Sequence, residues 1–152
     1  MKSNVVQLVL ALMALVLGGA AEELLPKVAG IGFPVLLASA LFFAVRRGTA
    51  EAVVFALAAG ALEDARSALP PGTSPVFFLA AIALARRCGF PHSAHIMFFP
   101  AYQLWLTLWF EGATAGVFVR MLASVPAGWL AASAAGAALA WAQRKAAIDV
   151  AR

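Results

Sequence analysis

Three ionisable residues, Glu63, Asp64 and Arg66, stand close together in the segment GALEDARSALPPGTSP, residues 60–75, between two apolar runs. Two adjacent carboxylates could act as a general acid and a general base. Neighbouring helix positions, however, point about 100° apart, and no nucleophile or set of metal ligands accompanies them. Glu63 and Arg66 are three residues apart and can form an ion pair, which leaves Asp64 as the less compensated charge. We therefore expect no catalysis at this segment.

Asp64 ends a ladder of small side chains. Ala52, Ala56 and Gly60 precede it at intervals of four residues, so all four residues share one helix face. Small residues at this spacing let a second helix approach closely, which predicts that Asp64 lies at a helix–helix junction, away from lipid. An ionisable group in that position is a functional-site hypothesis. In the alternative interpretation, the three charges mark an outer loop and are solvated there.

The chain that carries this ladder is strongly apolar. Of its 152 residues, 64% are apolar and 12% are charged, which is far from the composition of soluble proteins. We predict an all-α, polytopic integral membrane bundle that forms a single transmembrane domain over residues 1–152, with about six transmembrane helices. The predicted spans are residues 5–21, 31–45, 49–62, 76–85, 95–110 and 125–142.

The basic residues predict the orientation of these spans. All but three of the 11 lysines and arginines fall on one side of a six-span arrangement; the exceptions are Lys27, Arg66 and Arg120. This asymmetry predicts that both termini are cytoplasmic. Because the basic residues occur at the ends of apolar runs and form no stripe, we expect contact with membrane lipids and no binding of nucleic acid. A cleaved signal peptide, ending in the small residues 18–21, is a competing interpretation of the first run and would leave five spans.

The third and fourth runs form a hairpin with a short returning leg. From Arg47 to Asp64 a helix rises about 25 Å, whereas from Pro75 to Arg86 it rises only about 16 Å. If both legs start from the cytoplasmic surface, the 66–75 turn lies recessed in the outer part of the bilayer. Irregular backbone at that depth must be buried in protein or face a water-filled hollow. The sequence therefore predicts an outer hollow around Asp64 and this turn.

An aromatic stripe follows the fifth run. Tyr102, Trp105 and Trp109 are spaced three and four residues apart. Aromatic belts at the membrane interface account for the two tryptophans, whereas the deeper Tyr102 belongs either to the core or to a surface for another membrane protein. The two histidines, His92 and His95, have no nearby Asp, Glu or second Cys to complete a metal site. We expect neither a metal nor a cofactor.

The last run carries a second ladder of small residues, which predicts close helix packing within the bundle or against a partner. Its members are Gly128, Ala132, Gly136 and Ala140. We expect Pro126 to start this helix, which would leave Arg120 near the interface. If the helix instead ran continuously from Gly116, Arg120 would be buried, and Asp64 would be its natural counter-charge.

The hairpin FALAAGALEDARSALPPGTSPVFFLAAIALARR, residues 55–87, resembles the third and fourth spans of the bacterial rod-shape-determining protein family MreD. Members of this family are small proteins with about six spans, and their third span characteristically ends in a glycine with an acidic residue four positions later. Gly60 and Asp64 stand at the matching positions. The segment FPVLLASALFFAVRRG, residues 33–48, is similar to the preceding span. The LPPGTSP turn is richer in proline than the turn of the family.

This resemblance implies a non-enzymatic scaffold of the bacterial cell-elongation (rod) complex, in the inner membrane. The scaffold would bind MreC and, through MreC, the actin-like MreB and the peptidoglycan synthases. We expect a juxtamembrane segment of the partner to bind in the outer hollow, with Asp64 as the polar anchor. The candidate partner-binding residues are Gly60, Glu63, Asp64, Arg66, Tyr102 and Trp105.

The alternative function is that of a small-molecule-binding subunit of an energy-coupling-factor-type transporter. Members of the family are similar in fold to those subunits, so architecture alone does not separate a scaffold from a binder. A binder should have an enclosed pocket with several converging polar groups. The sequence offers few such groups beyond Glu63, Asp64, Arg66 and Tyr102, and this scarcity favours the scaffold.

Overall fold

A computed structural model describes residues 2–25, 33–89, 96–110 and 115–151. These ranges contain six α-helices and no strand, which confirms the all-α prediction. The helices are α1 (Lys2–Leu24), α2 (Val35–Arg46), α3 (Thr49–Ser67), α4 (Thr73–Cys88), α5 (Phe98–Phe110) and α6 (Ala115–Ala151). Each helix overlaps one predicted apolar run. The predicted starts of the second and fifth runs, and both histidines, lie outside the described residues.

Two of these helices are long and apolar enough to cross a membrane, by length and composition. They contain the segments Val5–Leu24 and Gly116–Ala146. The helix Val35–Arg46 is apolar but shorter. The prediction of six transmembrane spans is therefore not established by helix length and stays a prediction.

The core of the molecule surrounds α2. Every side chain from Leu36 to Ala44 is buried, as expected for a helix that has neighbours on all sides. Helices α1, α3, α4 and α6 all contact α2, and α5 packs mainly against α6. In contrast, α1 leaves much of its apolar surface uncovered, with Leu8 61% exposed and Val16 67% exposed.

Helices α3 and α4 form an antiparallel pair joined by the short turn of residues 68–72, in which Ala68 (φ 51°) and Gly72 (φ 99°) adopt the left-handed conformation. The returning helix begins at Thr73, three residues before the predicted span. The reason is that Pro75 lies in the first helical turn, where its missing N–H has no intrahelical partner to lose. The difference in length between α3 and α4 is consequently smaller than the sequence predicted.

The last helix also differs from the expectation. Pro126 does not start it, because α6 begins at Ala115 and continues through this proline. Apolar helices tolerate an internal proline when neighbouring helices and Ser or Thr side chains satisfy the backbone groups that it frees. The carbonyl that Pro126 leaves without an N–H donor is that of Leu122. One residue earlier, the Met121 carbonyl oxygen accepts a hydrogen bond from the hydroxyl of the buried Ser124 at 2.6 Å. Arg120 therefore lies on a continuous helix, but it is only partly buried.

Candidate functional site

The Asp64 carboxylate holds the turn between α3 and α4. Its Oδ2 accepts a hydrogen bond from the backbone N–H of Gly72, and its Oδ1 accepts one from that of Ser74, each at 2.8 Å. The first N–H groups of a helix have no intrahelical partner, and a carboxylate beside them also interacts favourably with the helix dipole. Asp64 is 4% exposed, so it is not solvated at an outer loop. Its carboxylate bonds the start of α4, and none of the ion pairs found among the described residues joins it to Arg120.

The first ladder is buried along α3, and its last two residues contact the start of α4. Ala52 and Ala56 are completely buried, and Gly60 is buried as well. A Cβ atom added to Gly60 would lie 2.5 Å from the backbone nitrogen of Pro75, which leaves no room for a side chain. The absence of a side chain at Gly60 thus lets the backbone of α4 approach α3 closely. One turn later, Asp64 accepts hydrogen bonds from backbone N–H groups at the start of α4.

Tyr102 and Trp105 fasten α5 to the first turn of α4. The Tyr102 hydroxyl lies 2.6 Å from Oγ of Ser74, and Nε1 of Trp105 donates to the carbonyl oxygen of Thr73 at 3.0 Å. Tyr102 is buried, whereas Trp109 is 62% exposed. Of the two interpretations of Tyr102, core packing is therefore the one that the geometry favours. Through Ser74, this contact also connects α5 to the residues that Asp64 holds.

A cavity of about 570 Å³ lies beside the turn. Its polar wall contains Glu22 and Glu23 from the end of α1 and Glu63 and Arg66 from the end of α3. Tyr102 reaches the cavity from α5. The apolar lining consists mainly of Phe33, Leu37, Phe78 and Leu106.

The cavity includes only half of the predicted partner-binding set. Glu63, Arg66 and Tyr102 line it, whereas Gly60, Asp64 and Trp105 shape the adjacent hairpin and its contact with α5. A hollow therefore lies beside the turn, but the Asp64 carboxylate is not part of its wall. The role of these six residues in binding a partner stays a prediction.

Among the described residues, three carboxylates lie within 4 Å of the Arg66 guanidinium. Its Nη1 lies 2.8 Å from Oε2 of Glu22, its Nε lies 2.9 Å from Oε1 of Glu23, and its Nη1 lies 3.7 Å from Oε2 of Glu63. The predicted pair with Glu63 is thus present, but it is the longest of the three. Glu22 also accepts a hydrogen bond from the backbone N–H of Leu36 at 2.7 Å. One carboxylate consequently joins α1, α2 and α3.

Glu22 and Glu23 are absent from the site predicted by sequence. The predicted spans carry a signal for them, because both residues directly follow the first span and Arg66 follows the third, which places all three at the same side of a six-span bundle. Glu22 and Glu23 are 44 and 43 residues from Arg66 along the chain. Rules of local helix spacing, which apply to residues three or four apart, therefore do not predict these contacts.

The second ladder packs inside the bundle at two places. Gly128 lies against the ring of Phe99, which leaves no space for a Cβ atom, whereas a Cβ atom added to Gly136 would lie 3.9 Å from Cδ2 of Phe42. Ala132 and Ala140 are partly exposed. The ladder is therefore tightly covered at its first residue, Gly128, and more open from Ala132 to Ala140.

In comparisons with protein-family models, curated proteins and solved structures, none matches this chain.

Proposed function

We propose that this chain is a multi-pass scaffold of the bacterial inner membrane and acts in the cell-elongation (rod) complex, as its resemblance to the MreD family implies. In this proposal the chain catalyses no reaction. It binds MreC and, through MreC, associates with MreB and the peptidoglycan synthases.

The observation that best supports the proposal is the joint action of Gly60 and Asp64. The resemblance depends on these two residues, and both contact the start of α4: Gly60 lies against the backbone of Pro75, and Asp64 bonds the N–H groups of Gly72 and Ser74. A glycine and an acid four residues apart therefore serve a defined hairpin geometry. General hydrophobicity would require neither residue.

Exposed apolar surface supports a membrane location. Phe118 is 71% exposed and Leu122 is 74% exposed on α6, in addition to the apolar residues along α1. Exposed apolar surface on this scale marks a membrane or protein interface. A cleaved signal peptide is less compatible with the contacts of α1, because Glu22 binds Arg66 and Gly18 lies against Leu36.

The two ends of the bundle differ in charge, which supports the proposed orientation. Arg86 donates from Nη1 to the carbonyl oxygens of Ala44 and Arg47 at 3.0 and 3.1 Å, so the basic ends of α2 and α4 lie together. The carboxylates of the cavity lie near the opposite end of α3. With basic residues facing the cytoplasm, the cavity faces outwards and both termini are cytoplasmic.

In this arrangement, the outward cavity binds a juxtamembrane segment of MreC. The polar anchor is the cluster of Glu22, Glu63 and Arg66, whose side chains line the cavity. Asp64 contributes by fixing the turn that forms its edge. This differs from the role predicted from the sequence, because both carboxylate oxygens of Asp64 are already bonded within the hairpin.

Co-purification of MreC in detergent tests the proposal. We expect Glu22→Gln to reduce the recovery of MreC, because the substitution removes a charge from the cavity wall. Glu51→Gln is the matched control, since Glu51 is an exposed carboxylate in the first turn of α3, at the opposite end of that helix. Equal recovery with wild type and with Glu22→Gln, Glu63→Gln and Arg66→Gln would exclude the cavity as the binding site.

A second candidate function is supported by the composition of the cavity. Several polar groups converge there, including the two α1 carboxylates that the sequence-based site omitted, and this is the arrangement expected of a small-molecule binder. A subunit of an energy-coupling-factor-type transporter would co-purify with transporter ATPases in place of MreC. Its gene would also lie beside genes for such ATPases, whereas the gene of a rod scaffold would lie beside those for MreC and a penicillin-binding protein.

A further inference from the structure

A second cavity, of about 350 Å³, lies between α2, the start of α5 and α6. Leu41 and Phe42 form the α2 side, and Ala132, Gly136 and Ala140 form the α6 side. We call this cavity the α2–α6 cleft. It is separate from the charged cavity described above, which lies at the other end of the bundle, and its lining is largely apolar.

Gly136 forms part of the floor of the α2–α6 cleft. A methyl carbon placed on Gly136 would meet its nearest neighbour, the Phe42 ring, at 3.9 Å, an ordinary van der Waals contact. At Gly128, two turns earlier on the same face, the Phe99 ring fills the equivalent space. A helix with its side chains is about 10–12 Å across, which is too wide for a cleft of about 350 Å³. A single hydrocarbon chain is narrow enough to enter it.

A cation stands at the end of this cleft. Arg46, the last residue of α2, belongs to its lining, and its side chain lies over the Phe42 ring, with Cζ 5.7 Å from the ring centroid. None of the ion pairs among the described residues involves Arg46. Arg144 follows Ala140 by four residues and so continues the same face of α6. The cleft thus runs from an apolar floor to an exposed positive charge that lacks a carboxylate partner in the described part of the chain.

We propose that the α2–α6 cleft binds an anionic phospholipid, with one acyl chain along Gly136 and the phosphate against Arg46. This inference rests on the membrane location in the proposed function, but it is independent of any binding to MreC. The order of groups along the cleft matches the order in the lipid, from apolar tail to anionic headgroup. Basic pockets between membrane helices on the cytoplasmic side are known binding sites for such headgroups.

The test is a titration of the full-length chain, purified in detergent, with phosphatidylglycerol and with phosphatidylcholine of the same acyl chains, read by native mass spectrometry. We expect one phosphatidylglycerol molecule to bind in preference to phosphatidylcholine. Arg46→Gln should weaken its binding about fivefold, the effect of one basic residue near an anionic headgroup. Gly136→Leu should abolish binding, because the longer side chain fills the floor of the cleft.

Arg87→Gln is the matched control, since it removes the same charge from an exposed arginine at the same end of the bundle, outside the cleft. Phosphatidylglycerol affinity should remain at the wild-type value in this variant. Equal weakening by Arg46→Gln and Arg87→Gln would indicate diffuse attraction to the basic end and would overturn the site. Unchanged binding in Gly136→Leu, or equal binding of the two lipids, would also overturn it.

Two further outcomes identify what has failed. If glycerol 3-phosphate, which has no acyl chains, displaces phosphatidylglycerol with comparable affinity, the site recognises a free phosphate and the lipid proposal is wrong. If the chain is recovered without detergent in the soluble fraction, the membrane function and the lipid site both fail. Recovery in the membrane without selective retention of phosphatidylglycerol removes the lipid site alone and leaves the scaffold proposal intact.

Discussion

The Asp64→Asn substitution separates a structural role of this carboxylate from a direct role in partner binding. Asparagine has the same shape, but only one of its terminal atoms accepts hydrogen bonds. Asp64 accepts two 2.8 Å bonds, from the N–H groups of Gly72 and Ser74. Asparagine keeps one of them, and its NH₂ group then faces the N–H group that has lost its acceptor. A hydrogen bond to a charged group contributes about 1.5–3 kcal/mol. We therefore expect the free energy of unfolding to fall by about 2–4 kcal/mol.

Thermal unfolding in detergent at a fixed scan rate measures this loss. For a chain of this length, 1 kcal/mol changes Tm by about 2–4 °C, so the expected decrease is roughly 5–15 °C. Glu63→Gln is the control, because it makes the same chemical change one residue earlier. Glu63 pairs with Arg66 at 3.7 Å and accepts a 3.2 Å bond from the hydroxyl of Ser67. Such a partly exposed pair contributes about 1 kcal/mol or less.

Two results would refute the reasoning. If Asp64→Asn and Glu63→Gln unfold at the same temperature, the carboxylate of Asp64 does not hold the turn. If Asp64→Asn keeps the wild-type Tm but no longer recovers MreC, the carboxylate acts on the partner directly, as the sequence alone predicted. A decrease in Tm together with a loss of MreC supports the structural role, in which the turn shapes the binding cavity.

Three further substitutions test other contacts by the same thermal measurement. Gly60→Ala should lower the free energy of unfolding by about 3 kcal/mol or more, because the added methyl group meets backbone. Gly48→Ala, with nothing within 4 Å of the added group, should change it by no more than about 0.5 kcal/mol. Equal values for the two variants would contradict the close approach of α3 and α4. Tyr102→Phe should lower the free energy of unfolding by about 1–2 kcal/mol, because it loses the 2.6 Å bond to the buried hydroxyl of Ser74. An unchanged Tm would show that this bond does not stabilise the fold. Arg66→Gln should lower the free energy of unfolding by about 3 kcal/mol, because it leaves Glu22 without its cation. Adding Glu22→Gln to this variant should restore part of that stability. If the losses of the two single variants simply add in the double variant, the two side chains do not interact.

The helices and the buried face of α3 could be predicted from sequence because both depend on local periodicity. Apolar runs indicated where the helices lie, and the interval of four residues placed Ala52, Ala56, Gly60 and Asp64 on one face, all of them buried in the structure. The pairing of Glu63 and Arg66 follows from the same rule. These features need no knowledge of which helix packs against which.

The helix ends were less predictable because proline has different effects at different helix positions. In the first turn of α4, Pro75 loses no hydrogen bond, so the helix includes it. Within α6, Pro126 does remove one, yet the helix continues on both sides. Neighbouring helices determine whether that loss ends a helix, and the sequence does not identify the neighbours. The predicted start of α6 was wrong for this reason.

The position of Arg66 explains why a defect at Asp64 could be mistaken for the loss of a binding residue. Arg66 lies two residues after Asp64, in the last turn of α3, and its contacts with Glu22 and Glu23 connect that turn to α1. When the hairpin loosens, the guanidinium that lines the cavity moves with it. A variant at Asp64 can therefore weaken the proposed binding of MreC although its carboxylate does not line the cavity. Stability and partner recovery must consequently be measured on the same variants, because recovery alone does not distinguish the wall of the cavity from the turn that supports it.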